Sequence, residues 1–258
     1  MYKKLFLLIF FGLLLIGCSE NRKKINESVM KDSVETVPAD TPLPKVSFYQ
    51  YESEEDSYPD AILELFSPLG NQVFKPGKVP FEFNIKNYPF EEASAEEFRL
   101  FNILNGGDPI GFGTPIFQRE LTQGSYRVVA YLVDDEGLAL KNFGNYVDRD
   151  FQVGDSRPFP YSAEPYLAVN YPRNNQVVET GEEIIVDFLV IGGDMDLDDL
   201  KVSVSIGDEY SYIIDQMDPI RVANLPSGSY QVKVKLLRGD EKELEGPFSS
   251  VSKSIIVR

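Results

Sequence analysis

Histidine and tryptophan are absent from this sequence of 258 residues, and cysteine occurs once, as Cys18. A single cysteine cannot form a disulfide within the chain. The same absences exclude zinc and copper sites built on histidine and cysteine, and they exclude catalytic arrangements of serine or cysteine with histidine. An enzyme made from this chain would need carboxylates, lysine, tyrosine or serine alone. We therefore expect a protein that is not an enzyme and that uses no cofactor.

Positive charge is also scarce, with 25 Lys and Arg residues against 41 Asp and Glu residues and a formal net charge of −16. Loss of an N-terminal leader containing Lys3 and Lys4 would bring the mature chain to −18. A chain of this charge repels the phosphates of nucleic acids and the headgroups of anionic lipids. No nucleic-acid partner is expected.

The N-terminus has the pattern of a secretory signal peptide over residues 1–17. Lys3 and Lys4 precede the apolar run Leu5–Ile16, and Gly17 and Cys18 follow it. The run is shorter than the about 20 apolar residues that a membrane-spanning helix requires. Cleavage and export are therefore predicted, rather than a transmembrane anchor.

The segment Leu15-Ile16-Gly17-Cys18 resembles the lipobox of bacterial lipoproteins. The resemblance implies cleavage before Cys18, which would then carry lipid on its sulfur and its amine. Acyl chains contribute about 0.8 kcal/mol of membrane attachment per buried methylene. Ser19 favours the outer membrane over the inner one and leaves both the periplasmic and the surface face open. The alternative is an ordinary signal peptide followed by an incidental cysteine.

Residues 18–57 are polar, contain three prolines and end in an acidic run. They have no hydrophobic periodicity, which predicts a disordered tether after the lipidated Cys18. The segment Val46–Tyr51, VSFYQY, is the one part that could become ordered, as an added edge strand. A linker is the favoured interpretation.

The rest of the chain is an internal repeat. Leu121–Leu132, LTQGSYRVVAYL, returns 104 residues later as Leu225–Leu236, LPSGSYQVKVKL, and shorter matches occur at the same spacing. A period of about 100 residues fits a whole small β domain. Two domains are predicted, at residues 58–154 and 164–258. The connector Gly154–Ala163 predicts some freedom between them.

Apolar and polar residues alternate within most segments of both repeats, as in Phe81, Phe83 and Ile85, which predicts strands with one buried face. Turn residues separate these segments. The predicted strands are Ala61–Phe66, Val79–Ile85, Phe98–Leu104, Ser125–Val133, Val147–Val153, Tyr166–Tyr171, Glu183–Val190, Leu200–Ile206, Ser211–Ile214, Ser229–Leu237 and Val251–Val257. This pattern predicts an all-β fold of two tandem Greek-key sandwiches.

The repeated motif Leu-x-x-Gly-Ser-Tyr resembles the corner before strand F of fibronectin type III and immunoglobulin-like domains. The residues that carry the resemblance are Leu121, Gly124, Tyr126, Leu225, Gly228 and Tyr230. The resemblance implies that both tyrosine hydroxyls bond to the backbone upstream. The core tryptophan and cysteine pair of immunoglobulin domains are missing, which argues against a true immunoglobulin domain.

Two aromatic segments of the first domain are candidate partner-binding sites. The glycine-rich loop Asn105–Gly113 contains Phe112, and Phe143 and Tyr146 precede the last predicted strand, so the three rings could line one surface. The favoured interpretation is that these segments are hairpins whose rings fold into the core.

An acidic turn in the second domain contains the weak calcium candidates Asp194, Asp196 and Asp198. An EF-hand beginning at Asp194 would need glycine at its sixth position and glutamate at its twelfth. Asp199 and Ser205 stand there instead, so a solvated turn is favoured and no metal is predicted.

These observations favour a lipid-anchored protein of the bacterial cell envelope. Its expected role is that of a non-catalytic interaction or spacer module with an envelope protein as partner. The alternative is a carbohydrate-binding surface lipoprotein, in which exposed tyrosines would stack on a glycan. A hydrolase that depends on carboxylates is a remote alternative, because no catalytic pair is evident.

Overall fold

The computed structural model describes residues 45–51, 57–90 and 98–258. Within these ranges the chain forms strands and no α-helix. The first strand, β1 (Ser47–Gln50), precedes two sandwiches of eight strands each.

Sandwich 1 consists of β2 (Ile62–Ser67), β3 (Val73–Phe74), β4 (Gly77–Lys86), β5 (Leu100–Leu104), β6 (Ile110–Phe112), β7 (Ile116–Leu121), β8 (Gly124–Leu132) and β9 (Tyr146–Val153). One of its sheets has the order β2-β4-β7, and the other has the order β3-β9-β8-β5-β6. The short β3 runs parallel to β9, whereas the remaining pairs are antiparallel.

Sandwich 2 repeats this arrangement with β10 (Tyr166–Tyr171), β11 (Gln176–Val178), β12 (Ile184–Ile191), β13 (Leu200–Ile206), β14 (Tyr210–Ile214), β15 (Ile220–Ala223), β16 (Gly228–Arg238) and β17 (Ser250–Val257). Its sheets have the orders β10-β12-β15 and β11-β17-β16-β13-β14, and β1 extends the first sheet beyond β15. In an immunoglobulin-like sandwich, strands A, B and E share one sheet and strands C, F and G share the other. β2, β4 and β7 take the places of A, B and E in sandwich 1, and β5, β8 and β9 take those of C, F and G. The predicted all-β Greek-key fold class is confirmed.

The turn after the first strand of each sandwich repeats in atomic detail. Asn71 and Asn175 have φ of 56° and 61°, a region that asparagine tolerates better than other side chains. Their amides donate to the carbonyls of Asp150 and Ser254 at 2.8 and 2.7 Å. The two donors are 104 residues apart, and so are the two acceptors. The period of the sequence is therefore also a period of the structure.

Each sandwich encloses its own apolar core, because alternate residues of its strands point inward. The core of sandwich 1 is rich in aromatic residues, with Phe81 stacked on Phe117 and edge-on to Phe151. The core of sandwich 2 is mainly aliphatic, with Val202, Val204 and similar residues fully buried.

The favoured interpretation of residues 47–50 as part of a linker is wrong. β1 pairs antiparallel with β15, from Ser47 opposite Ala223 to Gln50 opposite Ile220. Phe48 packs against the core of sandwich 2 and stacks on Tyr212 with ring centroids 5.7 Å apart. The pairing forms because β15 would otherwise leave an open edge on its sheet, and because alternate residues of β1 can face inward and outward. The rest of the expected tether, at residues 18–44 and 52–56, lies outside the described residues.

Candidate functional site

The two sandwiches share a buried apolar junction, and residues Pro44–Arg258 cluster as one compact unit. Sheet β3-β9-β8-β5-β6 of sandwich 1 packs its outer face against β10 and β12 of sandwich 2. The buried residues are Phe101, Ile103, Val129, Tyr131, Val133 and Ala139 on one side, and Tyr166, Ala168, Leu189 and Ile191 on the other. The prediction of freedom between the domains is therefore wrong. The facing sheets are apolar on their outer faces as well as on their inner ones, and the outer faces pack against each other.

A fully buried carboxylate, Asp187, bonds across this junction. Its Oδ1 forms an ion pair with Lys141 of sandwich 1. Its Oδ2 accepts hydrogen bonds from the Ala139 amide at 2.8 Å and from Asn170 Nδ2 at 2.7 Å. Tyr131 donates to Asn170 Oδ1 at 2.8 Å, and burial raises the pKa of this tyrosine well above its ordinary value. The network joins both sandwiches and pairs a charge that would be costly to bury alone.

β1 adds a third component to the junction. The Tyr51 amide donates to the Pro219 carbonyl at 2.8 Å, and the Tyr51 hydroxyl donates to Glu136 of sandwich 1 at 3.2 Å. Arg221 of sandwich 2 lies 4.3 Å from the Tyr51 ring centroid and 3.3 Å from the Glu136 carboxylate. The segment that precedes sandwich 1 is thereby held on sandwich 2 and in contact with both.

The glycine-rich loop Asn105–Gly113 is part of the same junction. Lys253 of β17, which is almost fully buried, donates to Asp108 at 2.6 Å and to the Gly107 carbonyl at 2.9 Å. The Asn174 amide donates to the same carboxylate at 3.0 Å. The loop therefore docks on sandwich 2 instead of standing free for a partner.

The stability that the Asp108–Lys253 contact contributes to the fold should depend on pH. Burial, the largest single effect, would raise the pKa of Asp108, but the hydrogen bonds from Lys253 and the Asn174 amide and the positive charges of Lys253 and Arg173 together outweigh it, so the pKa lies below its ordinary value. A lowered carboxyl pKa stabilises the fold above the unfolded-state pKa, about 3.9, and this stability is lost as the pH falls through the lowered folded-state value. We expect the wild type to lose more stability than Asp108→Asn below about pH 5. Urea unfolding at several pH values checks this, and parallel pH profiles would contradict it.

A groove beside the junction combines aromatic and charged groups. It is lined by Phe98, Arg99, Phe101, Asp134, Asp135, Glu136, Gly137, Tyr171 and Arg173, with a volume of about 400 Å³. The Arg173 guanidinium lies 5.0 and 5.2 Å from the ring centroids of Phe101 and Tyr171. Arg99 pairs with Asp135 at 2.9 Å. The exposed ring of Phe98 beside these charges suits a surface that binds a partner.

Phe112, Phe143 and Tyr146 do not form one surface, so this expectation is wrong. Phe112 on β6 points into sandwich 1 and stacks on Phe117, with ring centroids 3.5 Å apart. Tyr146 on β9 packs against the junction, on the opposite face of the sheet. Phe143 is 99% exposed in the loop before β9. Successive side chains of a strand face opposite ways, and this separates rings that are close in sequence.

Two carboxylates of the acidic turn, those of Asp194 and Asp198, accept hydrogen bonds from the backbone of the turn itself. Asp194 Oδ1 accepts from the amides of Asp196 and Leu197 at 3.0 and 2.8 Å, and Asp198 Oδ2 accepts from the Asp194 amide at 2.8 Å. The ranges that the structure describes contain no group of three or more Asp, Glu, His or Cys residues that could hold a metal ion.

The two corner motifs have matching hydrogen bonds. The Tyr126 hydroxyl donates to the Thr122 carbonyl and the Tyr230 hydroxyl to the Pro226 carbonyl, both at 2.9 Å. Leu121 and Leu225 are buried, and a Cβ on Gly124 or Gly228 would lie 3.4 or 3.2 Å from the tyrosine ring. The ring therefore lies close over the turn, where a glycine leaves it the most room.

Removing a corner hydroxyl should cost one hydrogen bond. We expect Tyr230→Phe to lower the free energy of unfolding by about 0.5–1.5 kcal/mol. Tyr161→Phe is the matched control, because Tyr161 is 95% exposed. Urea unfolding of both variants measures the difference, and equal stability would contradict the role of the corner.

Cys18, the expected lipidation site, lies outside the described residues. No helix within the described part of the chain is long and apolar enough to span a membrane.

No protein-family model matches the chain, and no curated protein matches it. Among solved structures it is similar to the fibronectin(III)-like modules of Clostridium thermocellum CbhA, at 12% identity and a TM-score of 0.29, over 76% of this chain and 94% of that one. It is also similar to Bacteroides ovatus SGBP-B in complex with a mixed-linkage heptasaccharide, at 11% identity and a TM-score of 0.23, over 76% and 47%. The extracellular domain of B. thetaiotaomicron BT3049 matches at 12% identity and a TM-score of 0.28, over 70% and 30%. The chain spans less than half the length of the latter two structures.

Proposed function

We propose that this protein is a non-catalytic, lipid-anchored module of the cell envelope that holds two sandwiches as one body and presents them to a protein partner. The observation that carries the proposal is the junction, where an apolar cluster and the hydrogen bonds of the fully buried Asp187 both join the two sandwiches. Domains that only need to be strung together require no such interface, because small polar contacts suffice for flexible tandem domains. A fixed arrangement is useful where two surfaces must face a partner in one orientation.

The position of β1 supports a spacer role. β1 forms the edge of sandwich 2, and Tyr51, the residue after β1, donates to Glu136 of sandwich 1, so a tether that precedes β1 would be attached first to sandwich 2. Residues 19–46 would separate the lipidated Cys18 from β1 by on the order of 90 Å when fully extended. A force on the tether would act on a strand held by backbone hydrogen bonds and on both sandwiches together.

The anchor is tested by replacing Cys18 with serine in cells that produce the full chain. We expect the wild type in the membrane fraction and the Cys18→Ser variant in the soluble fraction. Protease treatment of intact cells then distinguishes the surface face, where the tether is cut, from the periplasmic face, where it is protected. Membrane association that survives Cys18→Ser would contradict the anchor.

The interaction role is tested with a photo-crosslinking residue in place of Phe98, which is exposed in the groove. The same residue in place of Phe66, which is exposed on the far sheet of sandwich 1, is the matched control. We expect one discrete protein adduct from position 98, none from position 66, and loss of the adduct when Asp187→Ala loosens the junction. Equal labelling from both positions would contradict the proposal.

A glycan-binding function is the second candidate, and one surface favours it. The connector residues Phe159 and Tyr161 line a concavity of about 650 Å³ together with Asn71, Arg149 and Gln152. Tyr161 is almost fully exposed, and the buried Nε of Arg149 has no hydrogen-bond partner within the described ranges. A flat ring beside amide and guanidinium groups can stack on a sugar and bond to its hydroxyls.

A glycan panel separates the two functions. If glycan binding is the function, Tyr161→Ala abolishes the signal while Phe143→Ala, which removes an equally exposed ring elsewhere, leaves it unchanged. No signal on the panel, together with the adduct at position 98, would leave the protein-interaction function alone.

A further inference from the structure

The two sandwiches differ at one sheet edge. β15 of sandwich 2 is covered by β1 over Ser47–Gln50. Its counterpart in sandwich 1, β7, is the last strand of the sheet β2-β4-β7, and its outer edge pairs with no strand in residues 45–51, 57–90 and 98–258. An uncovered edge carries free backbone donors and acceptors and can accept another strand.

The strand registers place Arg119 of β7 where Val222 lies in β15. Arg119 is opposite Val79 on β4, and Val222 is opposite Ile184 on β12. Val79 and Ile184 correspond, because each lies four residues before the phenylalanine, Phe83 or Phe188, that faces the first strand of its sandwich. An arginine thus replaces a fully buried valine at this edge.

A second valine is also replaced by a polar residue. Asn102 on β5 is opposite Ala130, and Val204 on β13 is opposite Val234, which follows Ala130 by one repeat period of 104 residues. Asn102 is fully buried, as is Val204. Sandwich 1 therefore has an Arg–Asn pair where sandwich 2 has two core valines.

This pair has unused hydrogen-bonding capacity. Arg119 Nη1 donates to Asn102 Oδ1 at 2.6 Å, but the buried Asn102 Nδ2 has no partner among the described residues. None of the ion pairs between the described residues includes Arg119, and burial lowers the pKa of its guanidinium. Buried polar groups are normally satisfied, so an unpaired amide beside a desolvated guanidinium fits an acceptor supplied from outside.

An exposed apolar side chain lies beside the pair at the same edge. Ile110 on β6 is opposite Asn102, as Tyr212 is opposite Val204 in sandwich 2. Tyr212 is covered by Phe48 of β1, whereas Ile110 is 44% exposed. Among the described residues, no strand covers Ile110 as β1 covers Tyr212.

We propose that the β7 edge accepts an extended segment of a partner protein whose inward-facing carboxylate meets Arg119 and Asn102. β1 is the internal template for this docking. Phe48 is opposite Val222, so a segment docked on β7 in the same register places the residue at the Phe48 position opposite Arg119. A glutamate there would accept from both Arg119 and Asn102 Nδ2. The inference rests on the proposed function only in taking the partner to be a protein, and it adds strand pairing as the mode of recognition.

Synthetic peptides test the proposal against the full chain by fluorescence anisotropy. The probe has the sequence of residues 45–51 with Phe48→Glu, and the reference peptide keeps phenylalanine. We expect the Glu peptide to bind more tightly than the Phe peptide, and we expect Arg119→Val to weaken the Glu peptide about tenfold or more. The same variant should strengthen the Phe peptide, because it restores the valine that faces Phe48 in sandwich 2.

Two controls keep the outcome decisive. Arg119→Val installs the residue of the other sandwich, so its fold should be retained, and thermal unfolding checks this. The Glu peptide N-methylated at alternate amides should not bind, because it cannot pair with a strand edge. Equal affinity of the Glu and Phe peptides, an unchanged Glu affinity in Arg119→Val, or amide NMR shifts confined to β15 would overturn the proposal. The crosslink from position 98 does not depend on this edge, so either inference can fail alone.

Discussion

An Asp187→Ala variant is expected to lose about 3–5 kcal/mol of the free energy of unfolding. The carboxylate is fully buried and accepts from Lys141, Asn170 and the Ala139 amide. Its removal leaves the Lys141 ammonium, which is largely screened from solvent, and two buried N–H groups without their acceptor. Urea unfolding followed by tyrosine fluorescence measures the loss.

Two further variants show whether the loss comes from the junction. Asp208→Ala, at an exposed position in the turn between β13 and β14, should change stability by less than about 0.5 kcal/mol. Combining Asp187→Leu with Lys141→Met removes both charges and should recover part of the loss, because an apolar pair needs no charged partner. A loss in Asp187→Ala no larger than in Asp208→Ala would contradict the junction network.

A Leu189→Ala variant is expected to lose about 2–5 kcal/mol, because it opens a cavity in the apolar cluster shared by the two sandwiches. Leu197→Ala is the matched control, since Leu197 is 87% exposed, and it should be nearly neutral. The unfolding curve gives a second readout. A weakened junction should let the sandwiches unfold in two transitions, whereas the control should keep the coupling of the wild type. Identical curves for the two leucine variants would count against the junction.

Much of the fold could be predicted because both repeats have the same alternation of apolar and polar residues and the same corner motif. Alternating residues such as Phe81 and Phe83 indicate one buried face, and the repeated corner at Tyr126 and Tyr230 fixes the turn before strand β8 or β16. The signal for the junction was also present. The run Val128–Leu132 is apolar at every position, which is typical of a strand buried on both faces.

The destination of β1 could not be predicted from its own residues. VSFYQY indicates a strand, but its partner β15 begins about 170 residues later, and local patterns do not specify such a long-range pairing. For the same reason the loop Asn105–Gly113 looked free, although Lys253 holds it at the other end of the sequence.

The unusual edge of sandwich 1 was missed for a different reason. In Ile116–Leu121, IFQREL, charged and apolar residues are mixed, so Arg119 looks like a solvent-facing residue. Only the strand register shows that it shares the inward face with Phe117 and lies beside Asn102. Aligning the repeats by structure finds such replacements, whereas the sequence period of 104 residues does not, because β7 and β15 are shifted relative to it.

Rigid coupling of the two sandwiches is most directly tested by measuring the distance between spin labels with double electron–electron resonance. Labels at Leu69→Cys in sandwich 1 and Ile213→Cys in sandwich 2, with Cys18→Ser to remove the native thiol, report on the relative position of the two. Both sites are exposed, so the labels should not disturb the cores. One narrow distance distribution, broadened when Asp187→Ala is added, is the predicted result. A broad distribution before that change would show that the sandwiches move independently and would contradict the account.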